Sequence, residues 1–137
     1  MKRAITSTIG AVVLALGAGG LSASVSDQHG PPPRILDPVE PGLWEVTIPG
    51  SDARAQRLCL RDVSLLAQYT HRSNQCTRMT VSERGQTALV RYTCTEGGFG
   101  STEVEVVTPR SLRLSTQGIH NGRPFNRTYL ARRLRAC

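Results

Sequence analysis

The chain has 137 residues, a formal net charge of +7 and four cysteines. A chain of this size supports one domain with a single hydrophobic core. It contains neither the Gly-x-Ser-x-Gly sequence of serine hydrolases nor a phosphate-binding loop, so we expect a non-enzymatic protein without catalytic residues.

The N-terminus has the three-part pattern of a secretory signal peptide. Lys2 and Arg3 precede an apolar run over 9–17, and small residues follow. This run is shorter than the ~20 residues that span a membrane. We therefore predict a signal peptide over 1–23, export to the periplasm, and no membrane-spanning segment after cleavage.

A Pro-rich segment follows, and its proline content predicts an extended linker over residues 24–40. A single disulfide-bonded β domain is then expected over 41–137. Its first strand contains Trp44, Val46 and Ile48, which alternate with polar side chains, as in a half-buried strand.

The remaining elements are predicted from the same alternation. After a second strand over 55–60, Asp62 is the expected N-cap of a short helix over 63–69. Strands are then expected at the following positions: 76–82, 87–94, 102–107, 112–116 and 125–135. A glycine-rich turn at 97–100 and an Asn121-Gly122 type I′ turn separate some of them. The class is mainly β: an antiparallel meander of about seven strands curled towards a barrel, with one short helix.

The two strands around Arg84-Gly85 predict a hairpin whose register collects apolar side chains on one face. In this register, Val81 lies opposite Ala88 and Met79 lies opposite Val90. The same register places the first residue of the hairpin, Cys76, and its last residue, Cys94, on opposite faces.

Four cysteines without a Cys-x-x-Cys spacing predict two disulfides rather than a zinc site or a thioredoxin-like centre. They are Cys59, Cys76, Cys94 and Cys137. The hairpin register favours Cys59–Cys76 with Cys94–Cys137, and the alternative is Cys59–Cys94 with Cys76–Cys137.

Two histidines of the domain are expected at the surface, His71 in a polar loop and His120 beside the Asn-Gly turn. Neither has the spacing of a metal ligand, so no metal and no cofactor are predicted. The segment from Val106 to the C-terminus holds seven arginines and no acidic residue, which can attract anions. The candidate anion contacts are Arg110, Arg113, Arg123, Arg127, Arg132, Arg133 and Arg135.

Several of these features together resemble domain-of-unknown-function family 3617 (DUF3617), which comprises small exported proteins of Gram-negative bacteria. They are Pro-Gly-Leu-Trp-Glu-Val-Thr over 41–47, Cys59-Leu60 before a short helix, Cys76 and Cys94, and Arg-Arg-Leu-Arg-Ala-Cys over 132–137. The resemblance covers 40–137 and implies a periplasmic domain, without any catalytic residues to transfer.

Three functions are compatible with this sequence. The first is a small binding or interaction module whose hydrophobic interior takes an apolar small molecule. The second is an envelope protein whose basic C-terminal third contacts lipopolysaccharide, anionic lipid or another acidic partner. The third is a lysozyme or protease inhibitor, although usually basic lysozymes would be repelled by this net charge. Export excludes cytoplasmic nucleic acid as a partner.

Overall fold

The computed structural model describes residues 30–137, which form one seven-stranded antiparallel sheet. The strands are β1 (Gly42–Thr47), β2 (Gln56–Leu60), β3 (Cys76–Arg84), β4 (Thr87–Cys94), β5 (Phe99–Thr108), β6 (Ser111–His120) and β7 (Arg123–Arg135). Their order across the sheet is β2-β1-β7-β6-β5-β4-β3. The predicted mainly β meander is confirmed. The sheet is curled but open, because its edge strands β2 and β3 do not pair with each other.

The predicted short helix is confirmed as a 3-10 helix, Val63–His71, called the central helix below. Asp62 caps it, as predicted, because its carboxylate accepts hydrogen bonds from the Ser64 amide at 2.9 Å and from the Ser64 hydroxyl at 2.6 Å. The helix packs against β4, β5 and β6. In residues 30–137, no helix is long and apolar enough to cross a membrane. The predicted signal peptide lies outside the described residues.

The core lies between the central helix and the concave face of the sheet. Alternate residues of the strands point into it, so Trp44 and Leu114 have no exposed surface and Leu66 of the helix has 1%. Burial of a Trp side chain alone removes roughly 200 Å² from water. The chain's own side chains therefore fill the concave face.

The prediction of a linker up to residue 40 is wrong for residues 30–40. Ile35 and Val39 are buried in the main core cluster. The amide of Gly30 donates to the carbonyl of Arg78 on the edge strand β3, at 3.1 Å. Pro33 is extended, but Arg34–Leu36 form a short 3-10 helix. The apolar residues of this segment attach it to the domain, and its first residues cover part of the exposed edge of β3.

The predicted register of the β3–β4 hairpin is also wrong. Arg84 pairs with Thr87 at the turn, whereas Thr80 pairs with Val90, because a β-bulge lies between Thr80 and Ser82. The extra residue in β3 changes the register between the turn and the rest of the hairpin. Met79 consequently points outwards with 57% of its surface exposed.

The two disulfides are present, but both predicted pairings are wrong: the bonds are Cys76–Cys94 and Cys59–Cys137. With the bulge, Cys76 lies directly opposite Cys94. The other bond follows from the position of β1 between β2 and β7, a non-local pairing that the sequence pattern does not show. Leu43 of β1 pairs with Cys59 on one side and with Arg135 on the other, which brings the C-terminus to β2.

Candidate functional site

The prediction that His71 lies at the surface is wrong, because the central helix continues to this residue and buries it to 1% exposure. Its Nε2 lies 3.1 Å from the carbonyl oxygen of Ile119, and its Nδ1 lies 3.1 Å from the Tyr92 hydroxyl. A carbonyl oxygen only accepts hydrogen bonds, so Nε2 carries the proton of the neutral ring. Nδ1 then accepts from the Tyr92 hydroxyl, and the neutral imidazole connects the helix end to β4 and β6.

Burial also changes the acid–base properties of this pair. Loss of hydration lowers the pKa of His71, and the neighbouring His120 lowers it further, whereas the Ile119 carbonyl opposes the shift. Burial raises the pKa of Tyr92, and a hydrogen bond with the Thr116 side chain partly opposes this rise. Both rings are therefore held in their neutral forms near pH 7.

Two glycines of β5 and its preceding turn provide the space for these rings. A Cβ atom at Gly98 would overlap the imidazole of His71, and a Cβ atom at Gly100 would overlap the hydroxyl of Tyr92. The glycine-rich stretch, predicted as a turn, is thus the one sequence feature that could have revealed the buried pair. Small residues at alternate positions of a strand indicate that something large lies above them.

A cleft of about 500 Å³ lies beside this pair, between the end of the central helix and the β6–β7 hairpin. We call it the basic cleft; it is lined by Thr70, His120, Asn121, Arg123, Pro124, Phe125 and Arg127. The ring of His120 contacts that of His71, with centroids 4.7 Å apart. The predicted Asn-Gly turn has positive φ at both residues, 50° and 73°, and brings Arg123 opposite His120.

The structure does not bring the seven candidate arginines to one surface. Four lie within 4.0 Å of a carboxylate: Arg110 and Arg133 near Glu40, Arg113 near Glu105, and Arg132 near Glu45. No such ion pair is found within residues 30–137 for Arg123, Arg127 and Arg135.

The three arginines without a carboxylate neighbour divide between the two ends of β7. Arg123 and Arg127 line the basic cleft. Arg135 lies at the far end of β7, where it pairs with Leu43 of β1. In the described part of the chain, the basic cleft is therefore the one place at which the structure brings two of the candidate residues together without an ion pair to a carboxylate.

A second cleft, of about 580 Å³, lies on the outer face of the sheet. We call it the apolar cleft; it is lined by Arg91, Phe99, Gly100, Ser101, Gln117, Gly118, Ile119, Pro124 and Phe125. The strand register places Phe99, Ile119 and Pro124 side by side across β5, β6 and β7. The side chain of Phe99 is 49% exposed. The sequence alone did not indicate this patch.

A third cleft, of about 550 Å³, separates residues 30–33 from β3 and contains Arg78. The guanidinium of Arg78 donates to Gln68 at 2.7 Å and lies 3.3 Å from the Asp62 carboxylate. Burial lowers the pKa of Arg78. This arginine already has partners of its own, so it stabilises the start of the central helix against β3 and offers little to a ligand.

Comparison with known protein families gave a match. A family model described as a protein of unknown function (DUF3617) matches residues 39–137. The chain belongs to this family. The DUF3617 match includes all seven strands, both disulfides, and every residue of the basic and apolar clefts. No curated protein and no solved structure matches the chain. Within residues 30–137, no group of three or more His, Cys, Asp or Glu side chains is placed to hold a metal ion.

Proposed function

We propose that this DUF3617 domain is a non-enzymatic periplasmic binding module that takes an anionic group, such as a phosphate, in the basic cleft. The observation that carries this proposal is the convergence of Arg123 and Arg127 on one cleft, without a carboxylate partner in the described residues. Thr70, Asn121 and His120 add side chains able to donate hydrogen bonds.

The chemistry of the cleft favours phosphate. The planar guanidinium of arginine presents several N–H donors in a geometry that matches phosphate oxygens, and such bonds contribute about 1.5–3 kcal/mol each. Two of them predict a dissociation constant on the order of 1 mM for a simple anion, which corresponds to about −4 kcal/mol. Affinity in this range suits a site that recognises one part of a larger molecule.

Two further observations support a binding role rather than an enzymatic one. Both ring nitrogens of His71 are engaged by Tyr92 and Ile119, so this residue holds the fold together rather than acting as a base. The concave interior is filled by side chains such as Trp44 and Leu114, which favours a site at the rim of the sheet. Two disulfides support an oxidising compartment, and hence the periplasm.

The test is an NMR titration of the ¹⁵N-labelled protein with inorganic phosphate. We expect saturable shifts of the amides of Thr70, His120 and the first residues of β7. The Arg123→Gln/Arg127→Gln double variant is expected to lose these shifts.

The matched control is Arg110→Gln/Arg113→Gln, which removes the same charge from arginines that already have Glu40 and Glu105 beside them. This control is expected to bind phosphate as the parent protein does. Equal loss of binding in both variants would show that only the net charge matters, and it would overturn the proposal, as would full binding by the first variant.

A further inference from the structure

We infer that the ligand of the basic cleft is an anionic amphiphile, with a phosphate headgroup and one alkyl chain that lies in the apolar cleft. This inference rests on the proposed function, because the headgroup occupies the same site. It adds the chemical class of the ligand, which the basic cleft alone does not define.

The two clefts share lining residues at the start of β7. Pro124 and Phe125 line both of them. Strand β1 pairs with β7 only from Leu130 to Arg135, so no neighbouring strand among residues 30–137 covers the outer edge of the preceding part of β7. A ligand can therefore pass from one face of the sheet to the other at this uncovered edge.

The apolar cleft has the character of an alkyl-chain site. Phe99, Ile119 and Pro124 form a row perpendicular to the strands, and neighbouring strands lie about 4.8 Å apart. The row is thus roughly 10 Å long, and the polar side chains of the cleft, Arg91, Ser101 and Gln117, border it. An aromatic side chain that is 49% exposed within such a row is typical of a ligand-contact surface.

The dimensions favour a small molecule over a protein partner. The two clefts have volumes of about 500 and 580 Å³, which lie within the ~300–1,000 Å³ of small-molecule sites. A stable protein interface needs about 800 Å² from each partner, whereas the exposed apolar residues here form one narrow row. Two arginines at one end and a row of apolar side chains, bordered by Arg91, Ser101 and Gln117, are complementary to a molecule that is charged at one end.

The test is isothermal titration calorimetry with three probes. They are inorganic phosphate and, each below its critical micelle concentration, dodecyl phosphate and dodecyl maltoside. The maltoside has the same alkyl chain as dodecyl phosphate and an uncharged headgroup. Burial of about four methylene groups predicts that dodecyl phosphate binds on the order of 100-fold more tightly than inorganic phosphate. The maltoside is expected to bind much more weakly than dodecyl phosphate, because it cannot form the ionic bonds.

Variants of the apolar cleft test where the alkyl chain binds. Phe99→Ser/Ile119→Ser is expected to weaken dodecyl phosphate binding on the order of tenfold or more. The matched control is Val107→Ser, which removes another outward-facing apolar side chain, 60% exposed, from outside the cleft. This control is expected to bind dodecyl phosphate as the parent protein does.

The possible results separate the two proposals. Equal affinities for inorganic and dodecyl phosphate would overturn the amphiphile and leave the anion site intact. Absence of binding by both phosphates would overturn both proposals. Equal binding of dodecyl maltoside and dodecyl phosphate would overturn the amphiphile, because the anionic headgroup would then contribute nothing, whereas binding of inorganic phosphate would still decide the anion site. Binding seen only with vesicles that contain an anionic phospholipid would replace the single amphiphile by a membrane surface, and would therefore also overturn this inference.

Discussion

Acidification is expected to destabilise this domain through His71, whose neutral ring is built into the fold. A histidine in an unfolded chain has a pKa near 6.5, and burial lowers the pKa of His71 in the folded protein. Protonation of Nδ1 would also remove the acceptor of the Tyr92 hydroxyl bond. The His71 ring therefore binds a proton less readily in the folded state than in the unfolded state.

The sign and size of the effect follow from proton linkage. Below about pH 6.5 the unfolded state binds more protons than the folded state, so the free energy of unfolding falls as the pH falls. The loss is at most about 1.4 kcal/mol per pH unit and ends when the pH reaches the lowered pKa of the folded state. Above about pH 7.5 this contribution is constant.

The assay is urea unfolding between about pH 7.5 and 5.5, a range that lies above the usual titration of carboxylates. The His71→Gln variant should have a lower stability throughout and a flatter pH dependence than the parent protein. His120→Gln is the comparison variant, because it makes the same replacement at the neighbouring ring and keeps His71 in place. Burial is the largest cause of the lowered pKa of His71 and His120 is the smaller one, so this variant should keep most of the pH dependence. If His71→Gln and the parent protein lose stability equally on acidification, the reasoning about His71 is refuted.

Three further predictions concern the fold. Gly98→Ala should lower the free energy of unfolding by about 1–3 kcal/mol, because the new methyl group overlaps the His71 ring; an unchanged urea midpoint would contradict this. Replacement of both Cys76 and Cys94 by Ser opens a loop between residues 18 positions apart and should cost about 3 kcal/mol in chemical unfolding; peptide mapping without reduction should find this bond in the parent protein. Met79→Ser should change the free energy of unfolding by less than about 0.5 kcal/mol, since the side chain points outwards. A loss of stability as large as that of a core substitution would instead indicate that Met79 faces inwards, as in the register predicted from sequence.

The strands could be predicted from sequence because each faces the core with alternate residues. Trp44 and Val46 show this in β1, and their partners on the other strands show the same period of two. The start of the helix was also predictable from local sequence, since the Asp62 carboxylate accepts a hydrogen bond from the backbone amide of Ser64, two residues later. Such features depend on neighbours along the chain and on burial of one face.

The disulfide pairing was not predictable in this way, because it depends on one extra residue and on one distant contact. The bulge before Ser82 shifts β3 by a single position, and alternation alone gives no evidence of it. The contact between β1 and β7 joins the two ends of the domain. Both are features of the tertiary structure, and together they determine which cysteines form disulfides.

The candidate site was predicted only in part. Charge distribution along the chain identified Arg123 and Arg127 among seven arginines, but only the fold shows that Glu40, Glu45 and Glu105 lie beside four of the others. The buried position of His71 depends on two glycines almost 30 residues further along the chain. Its polar sequence neighbours instead indicated a surface loop.

A crystal structure of the domain with dodecyl phosphate tests the central proposal most directly. We expect the phosphate oxygens within hydrogen-bonding distance of the guanidinium groups of Arg123 and Arg127. The alkyl chain is expected to pass Pro124 and to lie on Phe99 and Ile119. A phosphate bound instead near Arg110 or Arg132, or a chain inserted between the central helix and the sheet, would contradict the account.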